Sequence, residues 1–186
     1  MAEVAKKPAE YQDLFDIPEN MTGEIVAGEL IVSPRPSRRH VYTGSALGVQ
    51  IGQAFRFGRS SPGGWVILDE PEVAFGENIL VPDMAGWRRE RFPVEEPHNW
   101  ISVAPDWVCE ILSARSAPID RARKMPIYAF HQVSHAWLID PVIRTLEVFR
   151  LDVDKWVLLA VYTGGAKVCA EPFADVEFDL GTLWLD

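Results

Sequence analysis

The sequence predicts a mixed α/β fold, one β-sheet flanked by two main helices with a hairpin near each end. Three observations lead there. Residues 38–57 carry Val41, Ala46, Leu47, Ile51, Ala54 and Phe55 at helical spacing. The run DWVCEILS (106–113) is apolar at both parities, as in a central strand covered on both faces. Short strand-like runs broken by turn residues open and close the chain.

Taken in order, residues 1–9 read as a flexible arm, and 10–186 as a single domain. A short helix over 10–16 stops near Pro18. EIVAGELIV reads as strands 24–26 and 29–33 on a tight turn at Ala27-Gly28. Ser37 is placed to cap the first main helix, which ends in the stretch Ser60 to Gly64. Strands are expected at 65–70, 71–75 and 78–87, then a loop or single helical turn over 88–100. After strand 106–113, a second main helix runs over about 116–133, kinked at Pro126. AWLID (136–140) is a buried strand, and its Asp140 before Pro141 ends it with an Asx-type turn. TLEVFRL and KWVLLAVY close the chain as a hairpin around Val153-Asp154.

Composition narrows the function. No apolar run approaches the ~20 residues of a membrane span, and MAEVAKKPAEYQDLF contains no secretory h-region. The expected setting is the cytoplasm, without a membrane partner. Cys109 and Cys169 form no paired motif, and the four histidines show no zinc-ligand spacing with them. The net charge of −9 is unfavourable for a nucleic-acid binder, although basic residues cluster around Arg38 and Arg39, around Arg88, and around Arg121. The tryptophans are too dispersed for a stacking platform and read as core.

Two carboxylates stand out. Asp83 in ILVPDMAGW and Glu110 in WVCEILS are each the lone charge in an apolar run. An ionised carboxylate buried there needs a cation, an arginine or a strand-end turn. The two together suggest a hard-cation site of the kind Mg²⁺ or Mn²⁺ occupies, which can polarise a phosphoryl oxygen and activate water. Pairing with arginines to fix strand register is the structural alternative. Asp120, Lys124, Tyr128 and His131 share one face of the second helix, with Ile119, Ala122, Ala129, Phe130 and Val133 opposite for the core. On its own, Asp120–Lys124 reads as a surface ion pair.

GELIVSPRPSRRH, VPDMAGW, APDWVCEILS, DRARKMPIYA and AWLIDP, in this order across about 20–150, resemble the Uma-type family of restriction endonucleases. That family is similar to the PD-(D/E)xK nuclease superfamily. The resemblance implies a restriction-endonuclease-like core and a catalytic set of Asp83, Glu110 and Lys124. Asp83 matches the PD aspartate and Glu110 the second acid, with the Ile111 carbonyl as a further metal ligand. Leu112 stands where the superfamily's lysine is expected, so the lysine function passes to Lys124 on the next helix. Glu29 matches an early acid, His40 a phosphate contact, and Tyr128 lies on the Lys124 face. As residues alone, His40 reads as a polar cap or packing group. Arg38, Arg39 and Arg121 are the expected nucleic-acid contacts.

The leading expectation is thus a metal-dependent endonuclease acting on nucleic acid, DNA in the first instance. A homodimer pairing through the closing hairpin (144–162) fits the need to cut two strands. The alternatives are a catalytically silent nuclease-fold module acting through a protein partner, and a metal-free two-carboxylate sugar hydrolase.

Overall fold

In the computed structural model, residues 7–57 and 63–185 are described. Most of the expected arm (1–6) and residues 60–62 of the expected helix stop lie outside the described residues. A 3₁₀ turn over Tyr11–Asp16 precedes the hairpin β1 (Met21–Val26) and β2 (Glu29–Pro34). Its turn residues Ala27 and Gly28 both have positive φ, at 51° and 76°, which matches strand twist across a two-residue loop. Ser37 accepts a hydrogen bond from the His40 N–H and caps α1 (Arg38–Ile51), which runs on through a π-helical turn, Gly52–Arg56. Then come β3 (Trp65–Asp69), β4 (Val73–Phe75), β5 (Asn78–Leu80), β6 (Met84–Arg88) and β7 (Trp107–Ile111).

The second helix is built in three pieces: α2 (Ala117–Ile119), a π-helical turn (Asp120–Lys124) and α3 (Met125–Phe130). It leads into β8 (His135–Asp140), the hairpin β9 (Thr145–Asp152) and β10 (Lys155–Thr163), and the short strands β11 (Lys167–Val168) and β12 (Phe178–Asp179). Asp140 accepts from the Val142 and Ile143 N–H groups, the turn expected of it.

Six strands form the main sheet in the order β10-β9-β8-β7-β6-β3, antiparallel except for the parallel pair β7/β8. A second sheet has the order β2-β1-β5-β4. The main sheet is covered on both faces, and all five residues of β7 are buried. Trp107, Cys109 and Ile111 pack with Leu47, Ile51, Phe55 and the C-terminal Phe173, Leu180 and Leu183. Val108 and Leu112 face the opposite way, with Tyr128, Met125, Val26 and Leu80.

Two expectations are corrected. Residues 78–87 form two strands in two different sheets. Pro82 has no N–H for a ladder, and the Val81 N–H is taken by the Glu24 carboxylate at 2.8 Å, so the chain crosses from one sheet to the other there. The second helix also presents its faces differently. Ala122 and Phe130 are exposed, whereas Asp120, Lys124 and Tyr128 are buried beside Ala129 and Val133. The Met125 N–H reaches back to the Asp120 carbonyl, an i to i−5 bond that rewinds the register just before Pro126.

Candidate active site

The crossing at Val81–Asp83 carries Asp83 to the end of β6, where β7 continues past the last ladder pair, Met84 with Cys109. The Ile111 N–H, left without a β6 partner, donates to Asp83 Oδ2 at 2.6 Å. Asp83 Oδ1 is 2.7 Å from His40 Nε2 on the first turn of α1. The backbone of β7 and the start of α1 therefore fix this carboxylate. Burial opposes charge on His40, but the hydrogen bond and charge of Asp83 outweigh it and raise the imidazole above its ordinary value. Ile111 also turns its carbonyl towards this edge. The Leu112 N–H bonds to Ile139 of β8, and successive strand residues alternate direction.

Glu110 projects from β7 to the other face, where the second helix brings its polar stripe. Glu110 Oε1 accepts from Tyr128 Oη at 2.5 Å and from Lys124 Nζ at 3.1 Å. Its other oxygen makes no hydrogen bond to the described residues. Lys124 Nζ also lies 2.9 Å from Glu24 Oε1 and 3.6 Å from Asp120 Oδ1. Glu110, Asp120 and Lys124 are each no more than 3% exposed.

His40, Asp83, Glu24, Glu110, Asp120 and Lys124 line one cleft of about 310 Å³ between β2, the start of α1 and the second helix. Along its deep side four carboxylates, Glu24, Asp83, Glu110 and Asp120, share one ammonium and one imidazole. The charges respond to that excess. Burial, with Asp120, Asp83 and Glu24 adding to it, pushes Glu110 well above the carboxylate range despite Lys124. Asp120 is also raised by burial. Burial works against charge on Lys124, yet the surrounding Glu110, Tyr128, Glu24 and Asp120 hold its pKa well above the usual lysine value.

The sequence-derived residues meet only in part. Asp83, Glu110, Lys124 and His40 line the cleft, and Tyr128 and the Ile111 N–H stand behind it, bonded to Glu110 and Asp83. Glu29 does not: its side chain is 65% exposed and pairs with Arg123. Arg38 and Arg39 are exposed outside the cleft lining, and Arg121 is bound to Glu147 on β9. The early acid at Lys124 is Glu24. Sequence reasoning missed it, because a single acid between strand neighbours is ordinary alternation. Asp120, read as half of a surface pair, is buried in the cluster.

Among the described residues, no three Asp, Glu, His or Cys side chains converge as ligands of one ion. The donor set suits Mg²⁺ nonetheless, which takes one or two carboxylates, keeps water in most positions and accepts a backbone carbonyl. Asp83, Glu110 and the Ile111 carbonyl are the groups that would hold such an ion. A divalent cation would offset the mutual repulsion that, with burial, raises Glu110 and Asp120.

A protein-family model described as "Uma2: Putative restriction endonuclease" matches residues 8–181. Among solved structures, the chain is similar to a crystal structure titled as a putative nuclease belonging to DUF820 from Anabaena variabilis ATCC 29413. The TM-score is 0.76 and the identity 26%, over 95% of this chain and 98% of that one. None of the curated proteins compared matches the chain. Among the described residues, no helix is long and apolar enough to cross a membrane.

Proposed function

The chain belongs to the Uma2 family, described as putative restriction endonucleases, and from that premise we propose that it is a metal-dependent endonuclease hydrolysing phosphodiester bonds of DNA. The observation that carries this reading is the meeting of Asp83, Glu110 and Lys124 in one cleft, on the polar side of an otherwise apolar sheet junction. Asp83 and Glu110, with the Ile111 carbonyl, would hold Mg²⁺ or Mn²⁺. When bound, the ion would polarise a phosphoryl oxygen and acidify the adjacent water.

The chain's own groups divide the remaining work. Tyr128 and Lys124 hold Glu110 by one oxygen, which leaves the other for the cation. Lys124, kept charged by its neighbours, would orient the attacking water and stabilise negative charge on the phosphate. His40 fixes Asp83 from the α1 side. In the reaction the water oxygen forms a new P–O bond and the bridging P–O bond breaks. The departing oxygen takes a proton, so one water is added across each cleaved linkage.

The test is a cleavage assay on DNA with Mg²⁺ or Mn²⁺, against chelator and against Asp83→Ala and Lys124→Ala. Activity is expected only with metal and is expected to drop at least ~100-fold in each variant, the scale on which lost transition-state stabilisation appears. Equal cleavage in chelator, or full activity in Asp83→Ala, would sink the proposal. One observation favours a second reading, a silent module bound by a protein partner: the Lys124 ammonium already lies among the carboxylates of a chain with net charge −9. Absence of cleavage under every metal condition, with DNA binding also missing, is the outcome that reading expects.

A further inference from the structure

A DNA strand must approach a chain of net charge −9 whose cleft is rich in carboxylates. Several of its arginines are already engaged. Arg91 pairs with Asp106, Arg121 with Glu147, Arg123 with Glu29 and Arg150 with Glu171. Arg88 lies over the Trp65 ring, 4.2 Å from its centroid.

Arg35 and Arg115 differ. Both line the cleft that contains Asp83, Glu110 and Lys124. Arg35, just beyond β2, donates to the Glu19 carbonyl at 3.1 Å. Arg115, in the loop between β7 and α2, donates to the Val32 carbonyl of β2 at 3.4 Å. Neither forms an ion pair among the described residues. A carbonyl orients a guanidinium without neutralising it, so both charges remain available to an anion, and three or more donors of each fork stay unused. Ser33, Ser113 and Ser116 add hydroxyls to the same lining, while among the described residues the only aromatic ring there is the His40 imidazole. Such a surface offers phosphate contacts and no stacking platform for bases.

On the reading of the site as a DNA-cleaving centre, we propose that Arg35 and Arg115 form a phosphate clamp along the β2 margin of the cleft. They engage backbone phosphates beside the scissile one and leave base identity unread. They are binding and positioning residues and take no part in the proton transfers.

The test uses the full chain with mixed-sequence DNA, single-stranded and duplex, in Mg²⁺ or Mn²⁺ over a series of salt concentrations. Arg35→Ala and Arg115→Ala are each expected to raise KM roughly tenfold with kcat within about twofold. Each should reduce the slope of log kcat/KM against log salt by about 1, one phosphate contact apiece. Arg35→Lys and Arg115→Lys should keep the slope but recover only part of the KM, because an ammonium cannot bind in a fork. Lys155→Ala, the same charge loss on the distant strand β10, should change neither quantity. Circular dichroism melting checks that each variant is folded, and the lysine variants stand in for any alanine variant that is not. If the parent protein cleaves DNA but the arginine variants behave like Lys155→Ala, the clamp is overturned and the nuclease reading stands. If the parent neither binds nor cleaves DNA, both are overturned.

Discussion

At Lys124 three carboxylates compete for one ammonium: Glu24 at 2.9 Å, Glu110 at 3.1 Å and Asp120 at 3.6 Å. Taking these charges out of water is costly, and the lysine is what offsets it. Removing it alone leaves several acids buried without a cation. Lys124→Met is therefore expected to destabilise the protein by about 3–5 kcal/mol in urea unfolding, the range for breaking a buried ion pair from one side. Adding Glu110→Gln to it should recover part of that loss; a single variant within about 1 kcal/mol of the parent would refute the account. Tyr128→Phe removes only the hydroxyl donor to Glu110 and should cost about 1–3 kcal/mol. The acids of this cluster were unequally legible. Asp83 and Glu110 betray themselves because each interrupts an apolar run with a charge. Glu24 does not, since a polar residue between apolar strand neighbours is ordinary alternation. Lys124 and Asp120 look like a solvated helix face, because nothing local shows that the facing surface supplies partners.

Elements show the same division. Strand β7 was readable from its two-sided apolar pattern, and α1 from its stripe and Ser37 cap. The second helix was readable in extent but not in orientation. Its face is chosen by Glu110 opposite, and its register is reset by the π-helical turn, a tertiary accommodation with no simple periodicity. The sheet change at Pro82 depends likewise on Glu24, a residue 57 positions away from Val81. In β6 the decisive residue is Gly86, between two tryptophans. A Cβ there would lie 3.2 Å from Trp107 Cε3 and 3.3 Å from Trp65 Cε3. Replacing a strand glycine ordinarily stabilises by about 0.5–1 kcal/mol through lost chain entropy. Here overpacking opposes that gain, at about 1–3 kcal/mol, and the rings are fully buried with little room to shift. Gly86→Ala is thus expected to lower the denaturation midpoint at unchanged m-value. A raised midpoint would show that the two indoles move apart freely.

For the molecule as a whole, the main sheet is closed on the α1 face by the C-terminal segment, whose Phe173, Phe178, Leu180 and Trp184 complete the core. Composition and pattern indicated a mixed sheet between two helices, but nothing in residues 163–186 announced this cover, since its strands are two residues long. Glu171 ties it down, accepting from Trp137 Nε1 through its carbonyl and meeting His135 at 3.1 Å and Arg150 at 3.1 Å through its carboxylate. Burial holds His135 below the ordinary imidazole value, with Glu171 only partly compensating. The hydrogen bond from His135 and the pairing with Arg150 hold Glu171 below the usual carboxylate value. The folded state therefore binds fewer protons at both sites than the unfolded chain. The His135 contribution is complete above 6.5 and is lost as pH falls from there towards its folded value; the Glu171 contribution is lost only below 4.5. Glu110 and Asp120, raised by burial, tilt stability the opposite way as pH rises, so a single stability profile mixes the two. A difference profile separates them. His135→Gln keeps a polar side chain without a titrating ring, so its melting temperature relative to the parent should be more favourable near pH 5.5 than near pH 7.5. A difference that does not vary with pH would mean that His135 takes up its proton as readily in the fold as in the open chain.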